Sequence, residues 1–189
     1  MRRNRIITIA MTTKITSRIF VFAIVLFASL NISAQKGAYT DGKAAGLSSD
    51  QIADLKKLNA AIAVPTFLPK GFTLEGVEIG EPPADGIVGY SITYSNTAGK
   101  SFTLQSINDG VGDVSIPKVF GRNPYFRNRL ASGYDMDDGK TLFVSWIESK
   151  RAYEPKGTVT QLYSLVSEKG HITLQESIKI MASLRYLKR

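Results

Sequence analysis

The sequence predicts an α+β fold: a curved antiparallel sheet, half-barrel-like, covered by an N-terminal and a C-terminal helix. Apolar residues recur at helical spacing before Pro65 and again near the C-terminus, and apolar and polar residues alternate between these regions. Gly, Asn and Asp residues divide the alternating region at short intervals. An order of helix, strands and helix is typical of α+β folds, and we expect about six to eight strands.

The first 34 residues have the three parts of a secretory signal peptide. Basic residues without any acid precede Ile19, an apolar run extends from Ile19 to Leu30, and Ala34 supplies a small residue before Gln35. The run has 12 residues, whereas a spanning helix needs roughly 20, so an uncleaved membrane anchor is the less favoured alternative. We therefore expect cleavage between Ala34 and Gln35 and a periplasmic or secreted location. A start at Met11 would leave a signal with a shorter basic part.

The rest of the chain fits one domain. We divide the sequence into a signal peptide (1–34), a flexible polar N-terminus (35–47) and a single α+β domain (48–189). Five of the 24 basic residues and none of the 16 acidic ones lie in the signal, so the net charge of +8 falls to +3. That charge is too small to indicate nucleic-acid binding. The absence of cysteine excludes disulfides, thiol nucleophiles and thiolate metal sites.

The first helix is predicted from Ser49 to Ile62. Ser48 and Gln51 have the spacing of a capping box, and apolar residues follow on one face. The helix must end before Pro65, because the residue before a proline is pushed out of the helical region.

The second helix is predicted from Leu174 to Leu184. Thr173 and Glu176 form another capping-box pair, and the basic residues at the end of the chain favour a helix C-terminus.

Alternation predicts strands between the helices at 72–79, 88–94, 101–107, 114–120, 125–130, 142–147 and 158–166. The alternation slips by one residue at Gly76, which indicates a bulge. Pro117 makes its strand an edge strand or a broken one. Asp138-Gly139 indicates a hairpin before the strand at 142–147, which is apolar on both faces and so central.

No catalytic pattern is recognisable. His171 is the only histidine, and we interpret it as a turn residue before a helix cap. Ser115 and Lys118 have the Ser-x-x-Lys spacing of serine acyl-enzymes, but Pro117 prevents the helical turn that this motif needs. We predict a protein that is not an enzyme and has no cofactor and no metal site. The competing hypothesis is a hydrolase of envelope polymers that uses Glu148 and Glu154 as a carboxylate pair.

The segment from Lys118 to Arg129 combines four basic residues and three aromatic residues with no acid. It could bind an anionic partner such as a lipid head group, a polysaccharide or an acidic protein surface. The alternative is a strand pair whose basic groups face solvent. The candidate ligand-binding residues are Lys118, Arg122, Tyr125, Phe126, Arg127, Arg129 and Trp146.

Aromatic residues of the predicted strands have two interpretations. They either form the core of the domain or line a cavity for an apolar ligand. The second interpretation requires a concave sheet. The residues concerned are Tyr90, Tyr94, Phe102, Phe143, Trp146 and Tyr163.

Several short motifs follow one another along the chain: Pro65 to Phe72, Gly121 ahead of Tyr125, Leu142 to Trp146, Leu162 to Val166, and Glu176 to Leu184. This order resembles an uncharacterised bacterial extracytoplasmic domain with a Leu-Pro-x-Gly-Tyr/Phe start and an Ala-x-Ser-Leu closing helix. That domain is similar to the half-barrel of the lipoprotein carrier LolA and the envelope-stress sensor RseB. The resemblance implies a curved sheet around helices that can hold acyl chains, and it implies no catalytic residues.

We therefore predict an exported, non-enzymatic binding module of the bacterial envelope. It would hold a hydrophobic or anionic ligand or a protein partner, with a lipid or an envelope protein as the expected classes and no nucleic acid. The alternative is an envelope-stress or anti-sigma-type sensor or scaffold subunit, whose site is an exposed sheet edge.

Overall fold

The computed structural model of the chain describes residues 37–80, 89–107, 119–127, 130–134, 140–145, 148–149, 156–158 and 161–189. The predicted signal peptide, the Asp138-Gly139 turn, Glu154 and the candidate residues Lys118, Arg129 and Trp146 lie outside the described residues. No helix in the described ranges is both long enough and apolar enough to cross a membrane.

Helix α1 extends over Ser49–Lys57, and its predicted start is confirmed. The Ser48 hydroxyl accepts a hydrogen bond from the Gln51 amide at 3.2 Å, and the Gln51 side chain accepts one from the Ser48 amide at 2.9 Å. The predicted end at Ile62 is wrong, because Leu58 adopts an extended conformation with ψ 133°.

Helix α2 extends over Leu174–Ala182, close to the prediction. The predicted capping box is present, since the Thr173 hydroxyl accepts from the Glu176 amide at 3.1 Å and the Glu176 carboxylate accepts from the Thr173 amide at 2.8 Å. These bonds satisfy two of the amide groups that a helix N-terminus leaves without partners.

Twelve strands lie in the described ranges, and we number them in chain order: β1 (Tyr39–Thr40), β2 (Ala63–Pro65), β3 (Thr73–Gly80), β4 (Gly89–Ser95), β5 (Ser101–Ile107), β6 (Val119–Gly121), β7 (Phe126–Arg127), β8 (Leu130–Tyr134), β9 (Thr141–Ser145), β10 (Glu148–Ser149), β11 (Leu162–Glu168) and β12 (Leu184–Leu187). Seven of them form an antiparallel sheet in the order β3-β4-β5-β11-β9-β8-β6. This sheet has two edges and does not close into a barrel. The predicted α+β fold with a curved sheet is confirmed.

The predicted bulge in β3 is also confirmed. Leu74 pairs with Tyr94, but the next pair joins Gly76 to Thr93, so Glu75 is an extra residue on the β3 side. The slip brings Val77 to the same face of the sheet as Leu74.

The strand predicted to be central, β9, lies inside the sheet between β8 and β11. Leu142 and Val144 are buried, while Phe143 on the opposite face is partly exposed. The strand pair predicted from 114–120 and 125–130 differs in detail. β6 pairs with β8, whereas β7 pairs with β10.

A second sheet contains both ends of the described domain. Strand β12 lies between β1, which is parallel to it, and β2, which is antiparallel. The predicted second helix included Leu184, the first residue of β12, and no strand was predicted there. Strand β12 pairs with β1 and β2, and its residues Leu184, Tyr186 and Leu187 are buried. This burial stabilises the strand.

Candidate functional site

Segment 60–65 of the same chain covers part of the inner face of the seven-stranded sheet, which is defined here as the face with the buried side chains. The Tyr90 hydroxyl donates to the Ala63 carbonyl at 2.8 Å and accepts from the Ala63 amide at 2.8 Å. The Tyr163 hydroxyl donates to the Ala61 carbonyl at 2.6 Å. Burial raises the pKa of the Tyr90 phenol, which keeps it protonated for these bonds.

Four of the aromatic strand residues, Tyr90, Tyr94, Phe102 and Tyr163, are therefore core residues, whereas Phe143 lies partly exposed on the opposite face. Tyr94 and Phe102 are buried and stacked at 5.0 Å between ring centroids, and Phe72 lies 5.4 Å from Phe102. A small indentation elsewhere has a volume of about 10 Å³, which is room for about one water molecule. It is lined by Lys56, Leu58, Ala60, Ile62, Leu187 and Arg189.

The C-terminal end of α2 is held by groups from two distant segments. Asn123 is buried, and its amide nitrogen donates to the carbonyls of Met181 at 3.1 Å and Leu184 at 3.0 Å. The Ser183 carbonyl accepts from the Thr66 hydroxyl at 2.8 Å. The carbonyl groups that a helix end leaves without partners are thereby satisfied.

Arg185 follows this helix end and stacks on an aromatic ring. Its guanidinium carbon lies 4.3 Å from the centroid of the Tyr125 ring, a cation–π geometry. Its Nη1 atom donates to the carbonyls of Ala182 at 3.2 Å and Leu184 at 2.7 Å. Partial burial lowers the pKa of Arg185, although an arginine stays charged at physiological pH.

The charge of Arg185 is not neutralised by an acid within the described ranges. The ion pairs found there join Lys57 to Asp54 and His171 to Glu168. Nε and Nη2 of Arg185 also have no hydrogen-bond acceptor among the described residues. The guanidinium is thus fixed in orientation by Tyr125 and two carbonyls and keeps donors for an external acceptor.

The structure places some of the predicted candidate residues at the surface and one of them in the core. Arg122 is exposed and precedes Asn123, whose amide holds the end of α2, and Tyr125 is partly buried and contacts the Arg185 guanidinium. Phe126 is only 2% exposed and packs against Tyr163 and Tyr186 at 5.4 and 4.7 Å, so it belongs to the core. The Arg127 backbone pairs with Glu148.

Sequence reasoning did not find Phe67 or Arg185. Phe67 is 38% exposed, and its amide is held by the Ser183 hydroxyl at 3.1 Å, so its backbone is anchored at the same helix end. The order Leu184-Arg185-Tyr186, with one basic residue between two apolar ones, is the sequence signal that would have placed Arg185 on the exposed side of a strand. We call the set Phe67, Arg122, Tyr125 and Arg185 the helix-end surface.

His171 bridges two turns. Its Nδ1 atom accepts from the Ser101 amide at 3.1 Å, and its Nε2 atom lies 3.3 Å from the Glu168 carboxylate. Beside it, the Lys100 ammonium donates to the Gly170 carbonyl at 2.9 Å. These contacts fasten the β4–β5 hairpin to the turn after β11. No group of three or more metal-ligating side chains occurs in the described part of the chain.

No protein-family model matches this chain, and no curated protein matches it. Among solved structures, the chain is similar to MucB in its crystal structure with MucA(peri), with 18% identity over 67% of this chain and a TM-score of 0.42. A complex of Pseudomonas aeruginosa MucA and MucB gives 17% identity over 69% of this chain and the same TM-score. The chain spans 37% and 36% of the length of the chains it matches.

Proposed function

We propose that this protein is an exported, non-enzymatic module of the bacterial envelope that binds a protein partner, as a sensor or scaffold subunit. The observation that carries the proposal is the helix-end surface. It combines an exposed phenylalanine, an exposed arginine and a second arginine fixed on a tyrosine ring. Aromatic residues and arginines of this kind contribute most of the binding energy in protein interfaces.

The partner's contact region is proposed to be acidic. Arg185 and Arg122 both lie at this surface, and Arg185 keeps guanidinium donors whose geometry matches a carboxylate. Because Tyr125 and two carbonyls hold Arg185 before binding, less side-chain entropy is lost when a carboxylate binds.

A protein partner is favoured over an enclosed lipid because the chain itself covers the inner face of the sheet. A carrier needs an apolar cavity, and here the phenols of Tyr90 and Tyr163 bond to backbone groups at Ala63 and Ala61. The open sheet with two capped helices supports the resemblance to the LolA and RseB half-barrel, which stays a prediction.

The non-enzymatic part of the proposal is supported by His171. A general base needs a free nitrogen within reach of a nucleophile. One ring nitrogen of His171 accepts from the Ser101 backbone amide, and the other faces the Glu168 carboxylate. The histidine thus has a structural task between two turns.

The first experiment is native mass spectrometry of the protein purified without detergent from the periplasmic fraction of bacteria that express the full chain. We expect the mass of the bare polypeptide. A mass excess that denaturation releases as lipid would contradict the proposal and restore the carrier hypothesis.

The second experiment is photocrosslinking in living cells from a benzophenone residue at position 67, with position 156 as the control. Both positions are exposed, but only Phe67 belongs to the helix-end surface. We expect a protein adduct from position 67 that is absent from position 156 and is weakened by Arg122→Glu. Equal labelling from the two positions, or no protein adduct from position 67, would contradict the proposed surface.

A further inference from the structure

Strand β3 forms one edge of the seven-stranded sheet. It pairs with β4 on one side, and no described residue forms a hydrogen bond to its other side. Alternate residues of an edge strand direct their amide and carbonyl groups away from the sheet, so this side can pair with a further strand. The edge involves none of the residues of the helix-end surface.

The two faces of the sheet carry different side chains at this edge, and those of the inner face are apolar. Val77 and Ile79 pair with the buried residues Ile92 and Tyr90, which places them on the inner face. Val77 is partly buried, but Ile79 is 38% exposed and is one of two large apolar side chains exposed to that degree in the described ranges.

The outer face of the edge is acidic. Glu78 is exposed, and its carboxylate lies 3.4 Å from the Ser91 hydroxyl of β4. Glu75, the extra residue of the bulge, is also exposed and acidic. No basic side chain in the described ranges forms an ion pair with either carboxylate.

A second copy of this chain is a poor occupant of the edge. Two β3 strands paired antiparallel around Gly76 and Val77 would bring the two acidic residues of one copy beside those of the other. Like charges opposite each other destabilise a strand pair, and charges and bulges are the usual protection of an edge against self-association.

We propose that β3 binds an extended segment of another protein by strand addition, and that this segment alternates apolar and basic residues. Its backbone would pair with the outward amide and carbonyl groups of β3. Its apolar side chains would pack beside Val77 and Ile79 on the inner face, and its lysines or arginines would lie beside Glu78 on the outer face. Since side chains alternate along a strand, one such segment satisfies both faces at once.

The test uses a blocked seven-residue peptide in which lysine and valine alternate, added to the protein purified from the periplasmic fraction. We expect slower amide hydrogen exchange at alternate residues within 73–80. A peptide of the same sequence with N-methyl groups on every second residue keeps the side chains but loses the amide donors of one edge. Two such peptides are compared, one methylated at the odd residues and the other at the even residues. The peptide whose methyl groups replace the amide hydrogens that face β3 should lose binding.

Two charge reversals complete the test. Glu78→Lys should weaken peptide binding by about tenfold, because an attractive cross-strand pair becomes repulsive. Glu168→Lys reverses an exposed acid on the interior strand β11 and should leave binding unchanged. The proposal is overturned if amides 73–80 gain no protection, if both methylated peptides bind like the parent, or if the protein alone dimerises through these amides.

Discussion

The phenol of Tyr90 joins two strands that lie 27 residues apart in the sequence. It both donates to and accepts from the backbone of Ala63, which is itself fully buried. The Tyr94 hydroxyl is also buried, but it has no hydrogen-bond partner among the described residues. Two buried tyrosines on one strand thus have opposite hydrogen-bonding states.

This contrast gives a prediction at the scale of the residue. Tyr90→Phe should lower the free energy of unfolding by about 2 kcal/mol, because the Ala63 amide and carbonyl would stay buried without partners. Tyr94→Phe removes a hydroxyl that has been desolvated without compensation, so it should be neutral or stabilising. Urea unfolding of both variants measures the difference, and equal losses in the two would contradict the assigned hydrogen bonds.

Arg185 shows the limit of reasoning on single residues. Its own sequence neighbours do not reveal its aromatic partner, because Tyr125 lies 60 positions away in the chain. The candidate segment Lys118 to Arg129 supplied Arg122 and Tyr125 to the helix-end surface, whereas its Phe126 became part of the core.

At the scale of the element, the two helix starts follow from local chemistry. Both capping boxes join residues three positions apart, so their geometry depends only on the helix itself. The end of α1 depends on distant contacts instead. Every residue of segment 60–64 is buried, because β12 lies on one side of the segment and Tyr90 and Tyr163 of the large sheet lie on the other.

The cap of α2 predicts a pH dependence. The pKa of Glu176 is lowered by the hydrogen bonds from the Thr173 amide and hydroxyl, both at 2.8 Å. A lowered pKa in the folded state means that the stabilisation is present above the ordinary glutamate pKa of about 4.3 and is lost as the pH falls through the folded-state value. Glu176→Gln should therefore be less stable than the wild type at pH 7, and the gap should narrow below about pH 4.

Thermal unfolding of both proteins between pH 7 and pH 3 measures this gap. Thr173→Ala is the companion variant, since it removes the hydroxyl and should cost about 1 kcal/mol at pH 7. A Glu176→Gln protein as stable as the wild type at pH 7 would show that the carboxylate contributes nothing to the cap.

At the scale of the whole molecule, the small sheet joins the two ends of the domain. β12 lies between β1 and β2, and the buried residues Leu184, Tyr186 and Leu187 attach it to the core. These pairings have large sequence separations, so they form only when most of the chain has folded.

A truncation tests this dependence. A chain that ends at Ser183 loses β12 and should not fold to a cooperative structure, because β1 and β2 lose their shared partner and three buried side chains are removed. A chain without Arg189 alone is the control. That residue is exposed and makes two long contacts of 3.4 Å to the carbonyls of Leu58 and Ala60. Circular dichroism melts should be cooperative for the control only, and a cooperative melt of the shorter chain would contradict the role given to β12.

The sequence by itself determined the α+β class, both helix starts, the strands β4 and β5 and the bulge of β3. These features depend on residues close together in the chain: capping pairs, period-two alternation and a glycine at which the alternation slips. Only the tertiary structure decided that segment 60–65 leaves the helix and packs on the inner face, that the chain end is a strand, and that Arg185 stacks on Tyr125. The physical reason is that burial and backbone pairing with distant segments outweigh local propensity, since a short apolar run suits a helix or a strand equally until its neighbours supply the hydrogen bonds.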